Sequence, residues 1–171
     1  RQAMLDLEKP LIAMIYGYCF GGGLGMALNA DLRFAAEGSQ FAVPAAVRGV
    51  AYAPSGLKQL VDLVGPSVAK DIMFSARRLP AEEALRVGII NRIIPAEELE
   101  AETVAYAETL ARNAPLSIRA SKFFINQLGL ERAQRNDARV TAMIDEAENS
   151  EDFREATTSF MEKRKPVFHG R

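Results

Sequence analysis

Three consecutive glycines, Gly21-Gly22-Gly23, constrain the fold of this chain more than any other feature. Residues 11–16 before them are apolar and partly β-branched, which predicts a buried strand. Residues 24–29 after them are apolar with short side chains, which predicts a buried helix. A strand that turns through glycines into a helix leaves unpaired N–H groups at the positive end of the helix dipole, where a phosphate or a developing oxyanion can bind. A tight turn that only glycine can make explains the same residues equally well.

Composition excludes several classes of protein. The chain has 171 residues, enough for one domain with a real core, and its 21 basic and 22 acidic residues give a net charge of −1. No overall field would recruit nucleic acid or an anionic membrane, so we expect neither partner. The longest apolar run, around residues 10–30, is interrupted by glycines and is too broken to span a membrane.

The cysteine and histidine counts limit the chemistry further. Cys19 is the one cysteine and His169 the one histidine, which excludes an internal disulfide and a cysteine-based or multi-histidine metal site. We therefore expect no metal. A single cysteine suits a reducing compartment, and we expect a cytoplasmic protein.

The pattern along the chain predicts an α/β first part. Residues 31–36 and 89–94 are predicted to be short strands, and residues 66–74 a short helix. Between them, the many glycines and prolines of residues 37–55 predict a long irregular loop, and long ordered loops are often functional.

The second part of the chain is predicted to be helical. Pro80 and Pro95 are each followed by two glutamates after one alanine, which marks two helix starts. Ser150 is predicted to cap the last helix and Pro166 to end it. Apolar stripes at helical spacing are expected to face the core. They consist of Leu99, Thr103, Tyr106 and Leu110 in one helix and of Ile118, Ser121, Ile125 and Leu128 in the next.

Cys19 allows a catalytic and a structural interpretation. The sequence Gly17-Tyr18-Cys19-Phe20-Gly21 fits a nucleophile elbow in which cysteine replaces serine. Its base would have to be His169, third from the end of the chain. A small apolar cysteine packed under the sheet explains the same residue and is the favoured interpretation.

Three further features each allow two interpretations. The cluster Lys163-Arg164-Lys165 and the pair Arg77-Arg78 suit either phosphate binding or an ordinary solvated surface. Tyr52 lies among small residues in the long loop, where a phenol either orients a ligand or packs with one end in water.

Motifs over nearly the whole chain resemble the crotonase superfamily of enoyl-CoA hydratases and isomerases, and they occur in the family's order. The resemblance implies an α/β fold in which residues 1–113 form the C-terminal part of a coiled ββα spiral core. A helical C-terminal region over residues 114–171 would serve oligomerisation and coenzyme A contact, usually in a trimer or hexamer. The motifs are Lys9-Pro10-Leu11-Ile12-Ala13, Gly17-Tyr18, Gly21-Gly22-Gly23, Asp31-Leu32-Arg33-Phe34-Ala35, Gln40-Phe41, Gly56-Leu57, Leu63-Val64-Gly65, Ala84 to Gly88, Ile89-Ile90-Asn91, Ala114-Pro115-Leu116 and Phe160 to Pro166.

The resemblance assigns roles to particular residues. Gly22 matches the glycine whose N–H forms half of the family's oxyanion hole, and its neighbours Gly21 and Gly23 are expected to border the thioester. Phe160 and Lys163 match residues that reach the adenosine end of coenzyme A, often from a neighbouring subunit. An acyl-CoA would then be the substrate, with no separate cofactor.

The chain departs from the hydratase pattern at both catalytic carboxylates. Gly25 and Ala45 stand where the resemblance places the two glutamates. Hydration needs a carboxylate pair to deprotonate water and protonate the α-carbon, and neither glycine nor alanine can carry a proton. The family's first oxyanion donor and its adenine loop would precede Arg1. Since the chain opens without Met in what the pattern predicts to be the tail of a helix, we expect a fragment or a processed product.

Decarboxylation is the less demanding alternative, because departing CO₂ generates the enolate without a base. Methylmalonyl-CoA decarboxylases of the same superfamily have a tyrosine at the place that Tyr52 matches, and a similar C-terminal tail. Arg48 is an attractive partner for a carboxylate, which is a hypothesis without a family match. A non-catalytic acyl-CoA-binding or structural subunit is the other alternative.

Overall fold

The computed structural model describes residues 2–171, and the chain divides into two compact units. The first unit comprises residues 2–7 and 11–104, and the second comprises residues 8–10 and 105–171. The division that we predicted after residue 113 lies further along the chain, within the second unit. As a functional boundary it stays a prediction.

Six short strands form two sheets in the first unit. One sheet has the order β1-β3-β6 and is parallel throughout. The other has the order β2-β4-β5, in which β2 and β4 are parallel and β5 is antiparallel to β4. The strands are β1 (Ile12–Ile15), β2 (Tyr18–Phe20), β3 (Leu32–Ala36), β4 (Gln40–Ala42), β5 (Leu79–Pro80) and β6 (Arg92–Ile94).

Consecutive strands turn a corner from one sheet into the other. β1 passes into β2 at Gly17, with φ 65°, and β3 passes into β4 at Gly38, with φ 75°. Glycine adopts this left-handed conformation without the steric cost of a Cβ. Helix α2 (Gly22–Ala27) follows the first pair and α3 (Ala45–Arg48) the second. This repeat confirms the predicted coiled ββα core.

The other helices of the first unit are α1 (Gln2–Leu5), α4 (Pro54–Ser75) and α5 (Ala81–Val87). Helix α4 is interrupted at Gly65, whose φ of 74° and ψ of 165° are not helical, and Pro66 restarts it. The predicted short helix 66–74 therefore corresponds to the second of two helical segments, which follows the break at Gly65 and ends at Ser75. The largest buried side chains of the core are those of Phe34, Phe41, Leu24, Leu60, Ile72, Leu79, Ile89, Ile90 and Leu99.

Several predicted boundaries are wrong. The predicted loop 37–55 contains strand β4 and helix α3, which its glycines and prolines obscure because both elements are only three or four residues long. Strand β2 was not predicted at all. The strand predicted at 89–94 begins at Arg92, and the helix predicted to start at Pro95 begins at Leu99.

Helices dominate the second unit, as predicted. Helix α6 (Leu99–Ala111) begins in the first unit and ends in the second, and is followed by α7 (Pro115–Leu128), a 3-10 turn (Arg132–Gln134), α8 (Asp137–Glu148) and α9 (Glu151–Glu162). Residues 8–10 join these helices through side chains. Arg139 pairs with Glu8 at 2.5 Å, and the Lys122 ammonium donates to the carbonyl oxygen of Lys9 at 2.8 Å.

One of the two predicted apolar stripes is wrong. The stripe of α6 lies on its more buried face, with Leu99 fully buried. In α7, however, Ile125 and Leu128 are exposed, and the buried positions are Leu116 and Ala120. The packed face of α7 is therefore displaced from the predicted one.

Helix α9 starts as predicted but ends before Lys163, three residues earlier than the predicted stop at Pro166. The Ser150 hydroxyl oxygen accepts the N–H of Phe153 at 3.0 Å, which caps the start of the helix. The helix ends at Glu162, and Lys163 then adopts a left-handed conformation with φ 55°.

Candidate active site

The turn from β2 into α2 leaves the N–H groups of Gly22, Gly23 and Leu24 without a backbone acceptor among the described residues. The Gly21 N–H donates to the carbonyl oxygen of Ala42 at 2.8 Å and thus extends the ladder between β2 and β4. The Gly25 N–H donates to the carbonyl oxygen of Gly21 at 2.9 Å, closing the first turn of α2. Between them, the Gly22 N–H has no backbone acceptor within residues 2–171, as the geometry of a helix start requires.

Open space borders this first turn. A Cβ built on Gly22, Gly23 or Gly25 would meet no atom within 4 Å in the described structure. Packing within the described residues therefore does not explain why these three positions are glycine. A glutamate side chain at position 25 would have room at its Cβ, so its absence is a chemical difference from the hydratase pattern rather than a steric necessity of this fold.

Tyr52 lies next to the turn. Its half-buried ring packs against the core of the first unit. A Cβ built on Gly21 would lie 3.6 Å from the Tyr52 hydroxyl oxygen and 3.8 Å from Cδ of Pro44. In the described part of the chain, the Tyr52 hydroxyl has no hydrogen-bond partner. The structure thus brings together Tyr52 and the glycine turn, which are about thirty residues apart in sequence.

The second expected carboxylate position lies at the start of α3. Pro44 precedes this helix as its N-cap, and Ala45 is its first residue and is buried. Because Pro44 is also close to Gly21, the loop after β4 borders the glycine turn. Arg48, at the other end of α3, is exposed, and its role toward a carboxylate stays a hypothesis.

The structure does not support the alternative interpretation of Cys19 as the nucleophile of an elbow. Cys19 is in the middle of strand β2, opposite Phe41, whereas the strand-to-helix turn is at Gly21. Burial raises the pKa of its thiol to about 11. His169 is held by its own backbone N–H, which donates to Asp152 at 2.7 Å in the second unit. Cys19 is therefore a protonated core side chain, as the structural interpretation predicted.

We expect Cys19 to react slowly with thiol reagents. At pH 8, a thiol with a pKa of about 11 has on the order of 10² times less thiolate than one in an unfolded chain. Alkylation by iodoacetamide should therefore be about 10²-fold slower in the native protein than in urea. Cys19→Ser should also leave catalysis unchanged. Equal alkylation rates in the two states would contradict this description.

The pair Arg77-Arg78 is occupied within the first unit. The Arg77 guanidinium pairs with Asp71 and with Glu83, each at 2.7 Å. The Arg78 guanidinium lies over the rings of Tyr18, at 5.8 Å, and Phe20, at 5.6 Å. These contacts favour the structural interpretation of the pair over phosphate binding.

The second unit presents the residues expected at coenzyme A. Phe160 is 82% exposed. Lys163 is also exposed, and among residues 2–171 no carboxylate pairs with its ammonium group. Arg164, by contrast, pairs with Glu155 and Glu162. Sequence reasoning missed these partners, because Glu155 is nine positions from Arg164 and belongs to no recognisable local pattern.

The family model for enoyl-CoA hydratase/isomerase matches residues 1–171. The chain belongs to the enoyl-CoA hydratase/isomerase family. A carnitinyl-CoA dehydratase of Salmonella typhi is 37% identical to it over 172 residues, which cover 98% of this chain and 66% of the relative. This family member thus spans just under two thirds of the length of that curated relative.

Solved structures confirm the crotonase-like fold of this family member. An enoyl-CoA hydratase/carnithine racemase from Magnetospirillum magneticum superposes with a TM-score of 0.91 at 32% identity, covering 99% of this chain and 63% of that one. An enoyl-CoA hydratase/isomerase family protein from Hyphomonas neptunium gives a TM-score of 0.89 at 33% identity, covering 99% and 64%.

The described residues add two observations about other kinds of site. No helix within residues 2–171 is both long enough and apolar enough to cross a membrane. Over the same range, no three or more His, Cys, Asp or Glu side chains form a group that could hold a metal ion.

Proposed function

We propose that the full-length protein is an acyl-CoA thioester enzyme that stabilises an enolate without the standard glutamate pair. The observation that carries this proposal is the first turn of α2, where the Gly22 N–H has no backbone acceptor among residues 2–171 and the neighbouring Gly21 lies close to the Tyr52 hydroxyl. Family membership supports the thioester as the substrate class.

The Gly22 N–H would donate to the thioester carbonyl oxygen, on which the negative charge of the enolate develops. A fixed donor of this kind lowers the barrier because it needs no reorganisation as the charge forms, and each donor contributes on the order of 10²–10³ in rate. The resemblance assigns the second donor to a segment upstream of Arg1.

Decarboxylation of a malonyl-type thioester is the reaction that we propose in particular. Hydration and dehydration require proton transfer by carboxylates, and Gly25 and Ala45 supply none. In decarboxylation, the bond between the α-carbon and the carboxylate breaks and its electron pair forms the enolate, so no base is needed. Tyr52 would donate a hydrogen bond that orients the carboxylate, and the α-carbon would then take a proton from solvent.

Coenzyme A would be held at its adenosine end by the second unit. The exposed ring of Phe160 offers a stacking surface for adenine, and the exposed side chain of Lys163 offers a charge for a phosphate. The trimer or hexamer in which a neighbouring subunit would supply these residues stays a prediction, as does the cytoplasmic location.

A two-substrate assay of the full-length protein tests the proposed reaction. We expect CO₂ release from methylmalonyl-CoA or malonyl-CoA, and no hydration of crotonyl-CoA, measured by loss of its absorbance. Hydration at a rate typical of an enzyme, with no release of CO₂, would contradict the proposal.

A non-catalytic acyl-CoA-binding subunit is the second candidate, favoured by the same two missing carboxylates. It predicts that calorimetry detects coenzyme A binding while every thioester assay shows no turnover. Both candidate functions therefore predict coenzyme A binding, and only the enzyme predicts turnover of a thioester.

A further inference from the structure

The C-terminal return segment, residues 164–171, runs back along helix α9. Asp152, in the first turn of α9 and only 3% exposed, accepts the N–H of His169 at 2.7 Å and that of Gly170 at 2.8 Å. The carbonyl oxygen of Arg171 accepts the N–H of Glu151 at 2.7 Å. The chain thus reverses after α9 and returns to the start of the same helix.

An ion pair closes this reversal. The Arg164 Nη1 and Nη2 atoms donate to the two carboxylate oxygens of Glu155 at 2.5 and 2.8 Å, and Nε donates to Glu162 at 2.6 Å. The Glu155 carboxylate also accepts the N–H of Val167 at 3.0 Å. The hydrogen bonds from Arg164, followed by the one from Val167, lower the pKa of Glu155 to about 2, so the pair stays charged at neutral pH.

Lys163 is the residue at which the chain reverses. Its left-handed backbone, with φ 55°, is uncommon for a residue with a side chain. Two backbone bonds cap the helix there, from the Lys163 N–H to the Phe160 carbonyl oxygen at 3.3 Å and from the Arg164 N–H to the Ser159 carbonyl oxygen at 3.0 Å. The contacts of Arg164 with Glu155 and Glu162 close the loop on either side of it. They leave the ammonium group of Lys163 exposed one helical turn beyond Phe160.

We infer that Arg164 and Glu155 are positioning residues that aim Lys163 at a phosphate of coenzyme A. Although Arg164 belongs to a basic cluster, its guanidinium is committed to two carboxylates rather than to a ligand. It fixes the turn that carries Lys163, and it neutralises two acids that would repel a phosphate there. The inference rests on the proposed function, since it takes the adenosine end of coenzyme A as the ligand of Lys163.

Equilibrium titration of the full-length protein with coenzyme A tests the inference. We expect Lys163→Ala to weaken binding by about 10-fold, because it removes a charge-assisted contact. Arg164→Gln should weaken it by about 5-fold, the upper range for an exposed ion pair. Lys165→Gln is the matched control, since it removes one positive charge from the same cluster without touching the ion pair, and should change binding less than about twofold. Pantetheine, which lacks the adenosine and its phosphates, should bind all variants equally.

Two variants separate positioning from charge alone. Glu155→Gln removes a negative charge near Lys163. If Glu155 and Arg164 act only through their charges, this variant should bind the anionic coenzyme A more tightly. Positioning predicts binding that is about 5-fold weaker. Arg164→Lys keeps the charge but cannot form the bidentate contact with the Glu155 carboxylate. We therefore expect this variant to bind coenzyme A as weakly as Arg164→Gln.

Tighter binding by Glu155→Gln, or wild-type binding by Arg164→Lys, would overturn the inference. Circular dichroism and the Tm of each variant establish that it is folded, and the two substitutions test the same ion pair from opposite sides. If the wild-type protein binds no coenzyme A, the proposed coenzyme A site fails together with the inference. If it binds and the ion-pair variants bind equally well, only the inference fails.

Discussion

Gly22→Pro is expected to lower the turnover of an acyl-CoA substrate by on the order of 10²–10³-fold, because it deletes one donor of the oxyanion hole. Proline tests this donor specifically because Gly22 is the first residue of helix α2. The N–H at that position makes no intrahelical hydrogen bond, so a helix tolerates proline there. A Cβ at this position also meets no atom within 4 Å. The measurement is kcat of the full-length protein, with circular dichroism to verify the fold.

Gly22→Ala is the matched control. It adds the same Cβ but keeps the N–H, so the ratio between the two variants isolates the donor from any steric effect on the substrate. We expect the alanine variant to retain activity within about 10-fold of the wild type. Equal activity of the proline and alanine variants would remove the Gly22 N–H from the mechanism.

Tyr52→Phe is expected to lower kcat for decarboxylation by about 10–10²-fold, because a hydrogen bond to a charged group contributes about 1.5–3 kcal/mol. The fold should be unaffected, since the hydroxyl has no partner among the described residues and the ring keeps its packing against the core. Coenzyme A affinity should stay within about twofold, because Tyr52 acts at the reacting end of the substrate.

Tyr18→Phe is the control for the loss of a phenol. Tyr18 is 70% exposed, and the phenylalanine ring would still lie beneath Arg78. Its kcat should equal that of the wild type. A Tyr52→Phe variant with an unchanged rate would exclude the hydroxyl from the reaction while leaving the role of Gly22 open.

The ββα core was predictable because the sequence patterns that indicate it are either local or shared with the family that the chain resembles. The glycine turn, strand β1 and helix α2 follow from a change of hydrophobic period within about fifteen residues. Strand β2 and helix α3 escaped prediction because each is only three or four residues long and is stabilised by pairing and packing with distant parts of the chain. Such elements carry too few residues to show a period.

The candidate site was predictable in its parts and not in its arrangement. The resemblance pointed to Gly22 and Tyr52 separately, but only the folded chain places the Tyr52 hydroxyl beside Gly21. The ion pair of Arg164 with Glu155 could not be predicted, because it depends on the chain reversing at Lys163 in a conformation that lysine rarely adopts. The buried face of α7 was predicted wrongly, because the spacing of apolar residues shows that a helix has an apolar face but does not show which residues the neighbouring elements cover.

The amide proton resonance of Gly22 offers the most direct test of the central claim, that this N–H donates to the thioester carbonyl. It can be followed by NMR in the labelled full-length protein during titration with acetyl-CoA and with S-ethyl-CoA, a thioether that lacks the carbonyl oxygen. We predict a downfield shift of the Gly22 proton with the thioester and little change with the thioether. The same response to both ligands, or no response to either at saturation, would contradict the account.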